Sequence, residues 1–477
     1  MTTYKLAFTD TSLTDGQTAV WGGALDTSMM LAPAARLSVS GLAAIEILSP
    51  AVLDACLARG ENPLHRLELA RRHFGAVPLR ATVNLLTGHG RPGADVLGPE
   101  VIDRWLATLA GAGLQQVVLL DPLLDADRLH AALKSASAAG LVAIAALPYQ
   151  ADNDRPDEAY AQLAASLAAS GAARVMLRDE SGVLTPDRLR TLVPALVQAL
   201  GTTPLDLHTR CHTALGTAVA LEAAGLGVSG FDTALPCLAN GASLPSLPSL
   251  LRGLRQQVTM QELPDHGSLL EADAILAAIA DQEGFPQAAS WAFDLAAYAH
   301  ELPGEVAVDF LAALRDRGRW AELHEFAAEC AAVRREMGSP PMVAPFARAI
   351  AEQAISHFDG DARYESLRPV LRRLLQGAYG TVDGELRADL RRRVGVLPAA
   401  EPAVTDVDGP EALLAWIAGV ETSALPPRTP RTGAGSFGYE TLTPYESLVR
   451  GLVTRAGRFA VLSLQGPGVR VHLQQEA

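Results

Sequence analysis

Over its first 260 residues the chain alternates short β-rich runs with stretches of helical spacing, and that alternation restricts the fold more than any other feature. The β-rich runs begin near 5 (KLAFTDTSL), 44 (AIEILS), 79 (LRATVNLL), 115 (QQVVLLDPL), 142 (VAIAALPY), 174 (RVMLRDES), 204 (PLDLHTR) and 227 (GVSGFDTAL). Ala/Leu-rich segments such as Val101–Ala112, Asp127–Ala139 and Asp157–Ser170 follow several of them. Strands that alternate with helices must lie parallel, because each crossover returns the chain to the same end of the sheet. Eight such units predict a (β/α)8 TIM barrel. The competing arrangement is a doubly wound open sheet, which carries a Gly-rich phosphate turn after its first strand. TDTSLTDG stands there instead.

Beyond about residue 285 the β signal stops. Glu305–Asp316, Arg319–Met337, Phe346–His357 and Gly384–Arg393 read as helices. The expected organisation is a barrel over 1–285 and an all-helical C-terminal domain over 286–422. A Pro/Gly-rich linker over 423–438 and a segment with a helix and a short β hairpin over 439–477 complete it. Among the 477 residues the net charge is −14, which argues against nucleic acid and anionic membrane surfaces as partners. No apolar run reaches the roughly 18–20 residues that span a bilayer. The opening MTTYKLAFTDTSL lacks a basic stretch followed by an apolar one, so no signal peptide is expected. Cys56, Cys211, Cys237 and Cys330 are far apart, and a reducing cytoplasm suits them. Only Lys5 and Lys134 are lysines, against 37 arginines. Chemistry that needs a lysine therefore has two residues to draw on.

In such a barrel, ligands meet the C-terminal ends of the strands. Those ends hold Asp10 and Asp15, then Glu46 and Ser49, Asn84 and Thr87, Asp121 and Asp125, and Tyr149. Arg178, Asp179 and Glu180 follow, then His208, Arg210 and His212, and last Asp232 and Thr233. One Asp at a strand end is often only a helix cap, but a ring of carboxylates, arginines and histidines indicates a site. His-x-His at the seventh strand would be a two-ligand metal signal, yet Arg210 stands at its second place and cannot ligate a metal. His208 and His212 are about 13 Å apart along an extended strand, too far to share one ion.

FTDTSLTDG, EILSPAVLDACL, LLDPLLDADRL, RDESGVLTP, LHTRCHTALG and GFDTALPCLANGASLP resemble the carboxyltransferase domain of biotin-dependent carboxylases. That family comprises pyruvate carboxylase, the oxaloacetate decarboxylase α subunit and the transcarboxylase large subunit. The likeness continues through HELPGEVAVDFLAAL, MGSPPMVAPFARAIAEQA and LLQGAYG, and covers about residues 5–385. It implies a helical funnel over the barrel mouth and, with it, a dimer. It implies a divalent metal held by a first-strand Asp, a carboxylated Lys and a His-x-His. The matching positions are Asp10, Arg178, His208 and Arg210. The family's keto-acid grips and proton-shuttling Thr match Thr87, Thr18 (beside Gln17) and Ala242, its first-loop Arg matches Thr14, and its WGG matches Leu48, Ser49 and Pro50. Scaffold positions match better, at Asp10, Asp54, Asp121, Asp179, Gly182, Asp232 and Thr233.

Two guanidinium groups beside Asp10 carry about the charge of a divalent ion plus a carboxylated lysine. The expectation is therefore a site without bound metal or other cofactor. Asp10, Arg178, His208 and Arg210 are its candidate catalytic residues, and Gln17, Thr18, Thr87, Tyr149, Asp179 and Ala242 its candidate substrate contacts. Arg178 and Arg210 are expected to pair with Asp10. The chain has no AMKM-type biotinylation sequence, so any biotin carrier or biotin carboxylase would be a separate subunit. Three functions follow from the resemblance: a carboxyltransferase acting on a small carboxylate, a catalytically inactive scaffold subunit, and a Claisen-type lyase or condensing enzyme of the related barrels.

Overall fold

The computed structural model describes residues 6–86, 97–151, 155–254, 263–395, 461–466 and 469–474. Eight parallel strands close into a barrel in sequence order. They are β1 (Ala7–Asp10), β2 (Ala44–Leu48), β3 (Leu79–Asn84), β4 (Gln116–Leu120), β5 (Val142–Pro148), β6 (Arg174–Asp179), β7 (Leu205–Thr209) and β8 (Gly230–Thr233). Ala7 pairs with Gly230 and Asp10 with Thr233, so the first strand meets the last and an open sheet is ruled out. The helices that follow β3, β4 and β5 are Pro99–Gly111, Ala126–Ala138 and Asp157–Ala169, each within two residues of its expected bounds.

The alternation of side chains along each strand sorts the interior into two halves. Val118, Leu120, Ile144, Ala146 and Met176 form an apolar cluster on β4, β5 and β6. Against it stand charged residues from β2, β3, β6, β7 and β8, in layers. In the lowest layer the Arg174 Nε donates to Asp206 at 2.7 Å. A Cβ on Gly230 would lie 1.9 Å from the Asp206 Oδ1, so only glycine leaves room for that ion pair. The middle layer is Glu46, Arg80, Asp232 and His208.

The helical region seats on the strand ends. Its core of Val306, Phe326, Phe346, Ile350 and neighbours takes in Leu86 and Leu123 from the barrel loops. The Asn84 side-chain amide donates to the Ala344 carbonyl at 2.8 Å, and Arg128 to the Tyr379 carbonyl at 3.1 Å. Gly304–Asp316, Leu323–Glu336 and Phe346–Phe358 match the expected helices. The last expected helix, Gly384–Arg393, is shorter: it begins at Ala388, because the residues before it pair in extended form with the segment around Met337, the Gly384 N–H donating to the Gly338 carbonyl at 3.1 Å and the Arg387 N–H to the Glu336 carbonyl at 2.9 Å. Val461–Gly466 and Val469–Gln474 pair antiparallel, as the tail predicts. The expected linker over 423–438 lies outside the described residues. No helix among the described residues is long and apolar enough to cross a membrane.

Candidate functional site

The top layer of the barrel interior is built by β6, β7 and the turn after β1. That turn, Ser12–Gly16, is one π-helical turn, and its extra width carries Asp15 inward. The Arg210 Nη2 donates to the Asp15 Oδ1 at 2.5 Å, and its Nε to the Glu180 Oε2 at 2.9 Å. Its Nη1 donates to the Ala242 carbonyl at 3.1 Å. The Arg178 Nε takes the other oxygen of Glu180 at 2.6 Å. Glu180 is thus clasped between two guanidiniums. Burial opposes its ionisation, but Arg178 and Arg210 hold its pKa well below the usual carboxylate range. Arg178 spends little else: among the described residues its Nη2 comes only within 3.9 Å of Asp15, and its Nη1 meets only the Met176 sulfur, also at 3.9 Å.

His208 links this layer to the one below. Its Nδ1 lies 3.0 Å from the Asp232 Oδ2, and its Nε2 stands 3.7 Å from Glu180, beyond hydrogen-bond reach. Arg80 donates to Asp232 and to Glu46, each at 2.7 Å. Burial opposes ionisation of Asp232, yet Arg80 and His208 drive its pKa down. Burial and Arg178 work against a charged His208, while Asp232 and Glu180 outweigh them and raise its pKa. The Asp15 Oδ2 and the His208 Nε2 are buried and have no hydrogen-bond partner among the described residues. Atoms of Asp15, Glu180 and His208 lie within 4.8 Å of one another, the spacing of a metal-ligand set.

No protein-family profile matches the chain. It is 24% identical over 388 residues to a pyruvate carboxylase subunit of Methanocaldococcus jannaschii, covering 81% of this chain and 67% of that one. It is 24% identical over 406 residues to the 2-oxoglutarate carboxylase large subunit of Hydrogenobacter thermophilus, covering 83% of this chain and 61% of that one. The carboxyl transferase domain of Rhizobium etli pyruvate carboxylase superposes with a TM-score of 0.77 at 20% identity, over 88% of this chain and 77% of that domain. The chain is similar in sequence to these carboxylase subunits and shares the fold of the carboxyl transferase domain.

Within this carboxyltransferase fold the expected site residues separate. Arg178, His208 and Arg210 converge, with Ala242 joining through its carbonyl. Asp10 does not pair with either arginine. Its carboxylate accepts only from Ser12, through the backbone N–H at 3.2 Å and the hydroxyl at 2.8 Å, and burial pushes its pKa up to about 7. The arginines reach Asp15 because Asp10 ends β1 while the π-helical turn projects Asp15 over the mouth. Asp179 spends both oxygens on the Val183 and Leu184 N–H groups and the Thr209 hydroxyl, which fixes the loop after β6. Tyr149 lies with its hydroxyl against Arg188 of the helix Pro186–Leu200, away from the convergent group. Gln17 accepts from the Leu25 N–H at 3.3 Å, and the Thr18 hydroxyl donates to the Asp15 carbonyl at 3.2 Å. Thr87 lies outside the described residues.

Four members of the network were absent from the expected site: Asp15, Glu180, Asp232 and Arg80. The first three stand in the strand-end ring and could have been found there. Arg80 had a weaker signal, a charge inside the otherwise apolar LRATV run two residues from Thr82, on the face that β3 turns into the barrel.

Proposed function

We propose that this chain is the carboxyltransferase-type component of a biotin-dependent system, acting on a small carboxylate and working with a biotin carrier that lies outside these 477 residues. The observation that carries this is Arg178: a guanidinium in the barrel mouth whose two terminal nitrogens meet no oxygen within hydrogen-bond distance among the described residues. A planar fork with two unspent donors suits a carboxylate. Beside it the His208 Nε2 is free of a partner, while Asp232 holds the other ring nitrogen. An imidazole oriented in this way, with its protonated form favoured, can give a proton to a bound substrate and take it back, whereas the Asp15 Oδ2 offers an acceptor for a hydroxyl or enol. The relatives named for pyruvate and 2-oxoglutarate carboxylation support a small carboxylate as the class of substrate. Neither Lys5 nor Lys134 stands in an AMKM-type context, so a biotinyl lysine would lie outside these 477 residues.

A scaffold subunit without catalysis is the second reading. It is favoured by the saturation of Arg210, whose Nε, Nη1 and Nη2 are all engaged, and by the backbone of Gly304 packed on its guanidinium. One experiment separates the two. The protein is purified from its own host, scored for a co-purifying biotinylated chain, and titrated calorimetrically with pyruvate, 2-oxoglutarate and oxaloacetate. Saturable binding of one carboxylate that is lost in Arg178→Met is the expected result. A biotinylated partner together with no carboxylate binding would leave the scaffold. Decarboxylation of oxaloacetate above background is not expected, because Thr18 and Thr87, which the resemblance places at the family's keto-acid grips, carry no charge.

A further inference from the structure

We infer that the guanidiniums of Arg178 and Arg210 occupy the cation position of this barrel mouth, and that Glu180 makes the exchange workable, so that the native chain holds no divalent ion there. The inference stands on the geometry of the mouth and does not depend on which carboxylate the chain handles.

By distance alone the mouth would suit a metal. Asp15, Glu180 and His208 come from three different segments, are buried, and bring ligand-type atoms within 4.8 Å of one another. Two carboxylates and an imidazole are an ordinary donor set for zinc or manganese. Occupancy and charge decide against it. Both oxygens of Glu180 and one of Asp15 already accept from guanidinium nitrogens, which leaves the Asp15 Oδ2 and the His208 Nε2 as the only unspent donors of the set. The two positive charges of Arg178 and Arg210 match the two negative charges of Glu180 and Asp15. Neither guanidinium can lose its proton to make way for an ion. A divalent cation entering this group would have to displace both arginines from a buried carboxylate and then sit beside them.

Glu180 is the residue that joins the two guanidiniums. It follows the arginine that stands at the carboxylated-lysine position by two residues, and its carboxylate lies between the two guanidiniums. Arg178 has no other carboxylate within hydrogen-bond distance among the described residues. The series Arg178–Glu180–Arg210–Asp15 is therefore an alternating row of charges joined by hydrogen bonds, with Glu180 as the link between the two guanidiniums.

The test is metal binding in the whole chain. Dialysed wild-type protein should carry less than about 0.1 equivalent of zinc or manganese by elemental analysis, and should show no saturable calorimetric signal with either ion. The double variant R178M/R210H removes both guanidiniums and adds an imidazole beside Asp15, Glu180 and His208. It should bind about one equivalent at least ~100-fold more tightly than wild type, with a rise in melting temperature on metal addition. Circular dichroism confirms that the barrel is retained. Should the double variant fold neither with nor without metal, R178M alone decides, with an expected gain of about tenfold in affinity. An ion that survives dialysis of the wild type and disappears in H208N would overturn the inference. So would a folded double variant, or R178M in its place, that binds no more tightly than wild type.

Discussion

Asp10, the last residue of β1, and Asp15, in the turn that follows, lie five residues apart, and their environments assign them different work. Asp15 faces a guanidinium and belongs to an ion-pair row. Asp10 accepts from Ser12, whose hydroxyl in turn accepts from the Leu235 N–H at 2.7 Å and so ties β1 to the loop after β8. With its pKa pushed up to about 7 by burial, Asp10 binds a proton in the folded chain at pH values where the unfolded chain has lost it. Its neutral form therefore favours folding at low pH, and that contribution is lost as pH rises from about 4 to about 7. Asp10→Asn should leave ligand binding intact and cost within about 1 kcal/mol at pH 5. The comparison with wild type should move in favour of the variant at pH 8, as read from urea midpoints. A loss of ligand binding in this variant would return Asp10 to the site.

At the scale of elements, the mouth depends on how closely the loop after β6 approaches the loop after β7. Gly182 has φ +63°, and a Cβ there would lie 2.7 Å from the Arg210 carbonyl oxygen and 3.0 Å from the His212 nitrogen. Those are backbone atoms, so no side-chain rotation relieves the contact. The Thr213 hydroxyl donates to the Gly182 carbonyl at 2.7 Å and draws the loops together. Gly182→Ala should lower stability by about 2–4 kcal/mol through left-handed strain and overpacking. It should also weaken whatever ligand the mouth binds, because the Arg210 backbone must shift. Denaturation midpoints and calorimetry on the same samples check both. A fully stable Gly182→Ala protein would mean that the two loops are less tightly joined than these distances require.

Across the whole molecule, the joint between barrel and helical region carries buried neutral histidines. His212 packs edge-on against Trp291 at 5.4 Å, and its ring is buried beside the Gly304 backbone. Burial, with Arg210 and His300 adding to it, lowers the pKa of His212 to about 3. Burial also lowers that of His300 to about 4, although Asp294 works the other way, and its Nδ1 accepts from the Leu302 N–H. A histidine held neutral in the fold gives stability that is complete above its unfolded value of 6.5 and is lost as pH falls toward the folded value. The chain should therefore lose stability between pH 6.5 and pH 4 at this joint. In His212→Phe the loss should be shallower, by an amount on the order of 1 kcal/mol or more between pH 7 and pH 5. Parallel slopes for variant and wild type in urea titrations at those two pH values would show that His212 does not report on the joint.

The barrel was legible in the sequence because it is repeated. Eight apolar runs, each followed by a stretch of helical period, leave parallel closure as the economical way to bury every strand, and short-range patterning is enough to reveal it. The family likeness was legible for a similar reason, since its motifs sit at successive strand ends. The pairing inside the mouth was not legible. Asp15, Glu180 and Arg210 are distant in sequence, and which carboxylate a guanidinium meets depends on a single π-helical turn after β1. The sequence put Arg178, His208 and Arg210 together at adjacent strands. It offered no means of choosing Asp15 over Asp10, or of seeing that Tyr149 and Asp179 serve the loops and outer helices. Those choices follow from how far each side chain reaches once the barrel has closed, and burial then makes every unpaired charge costly enough to fix its partner.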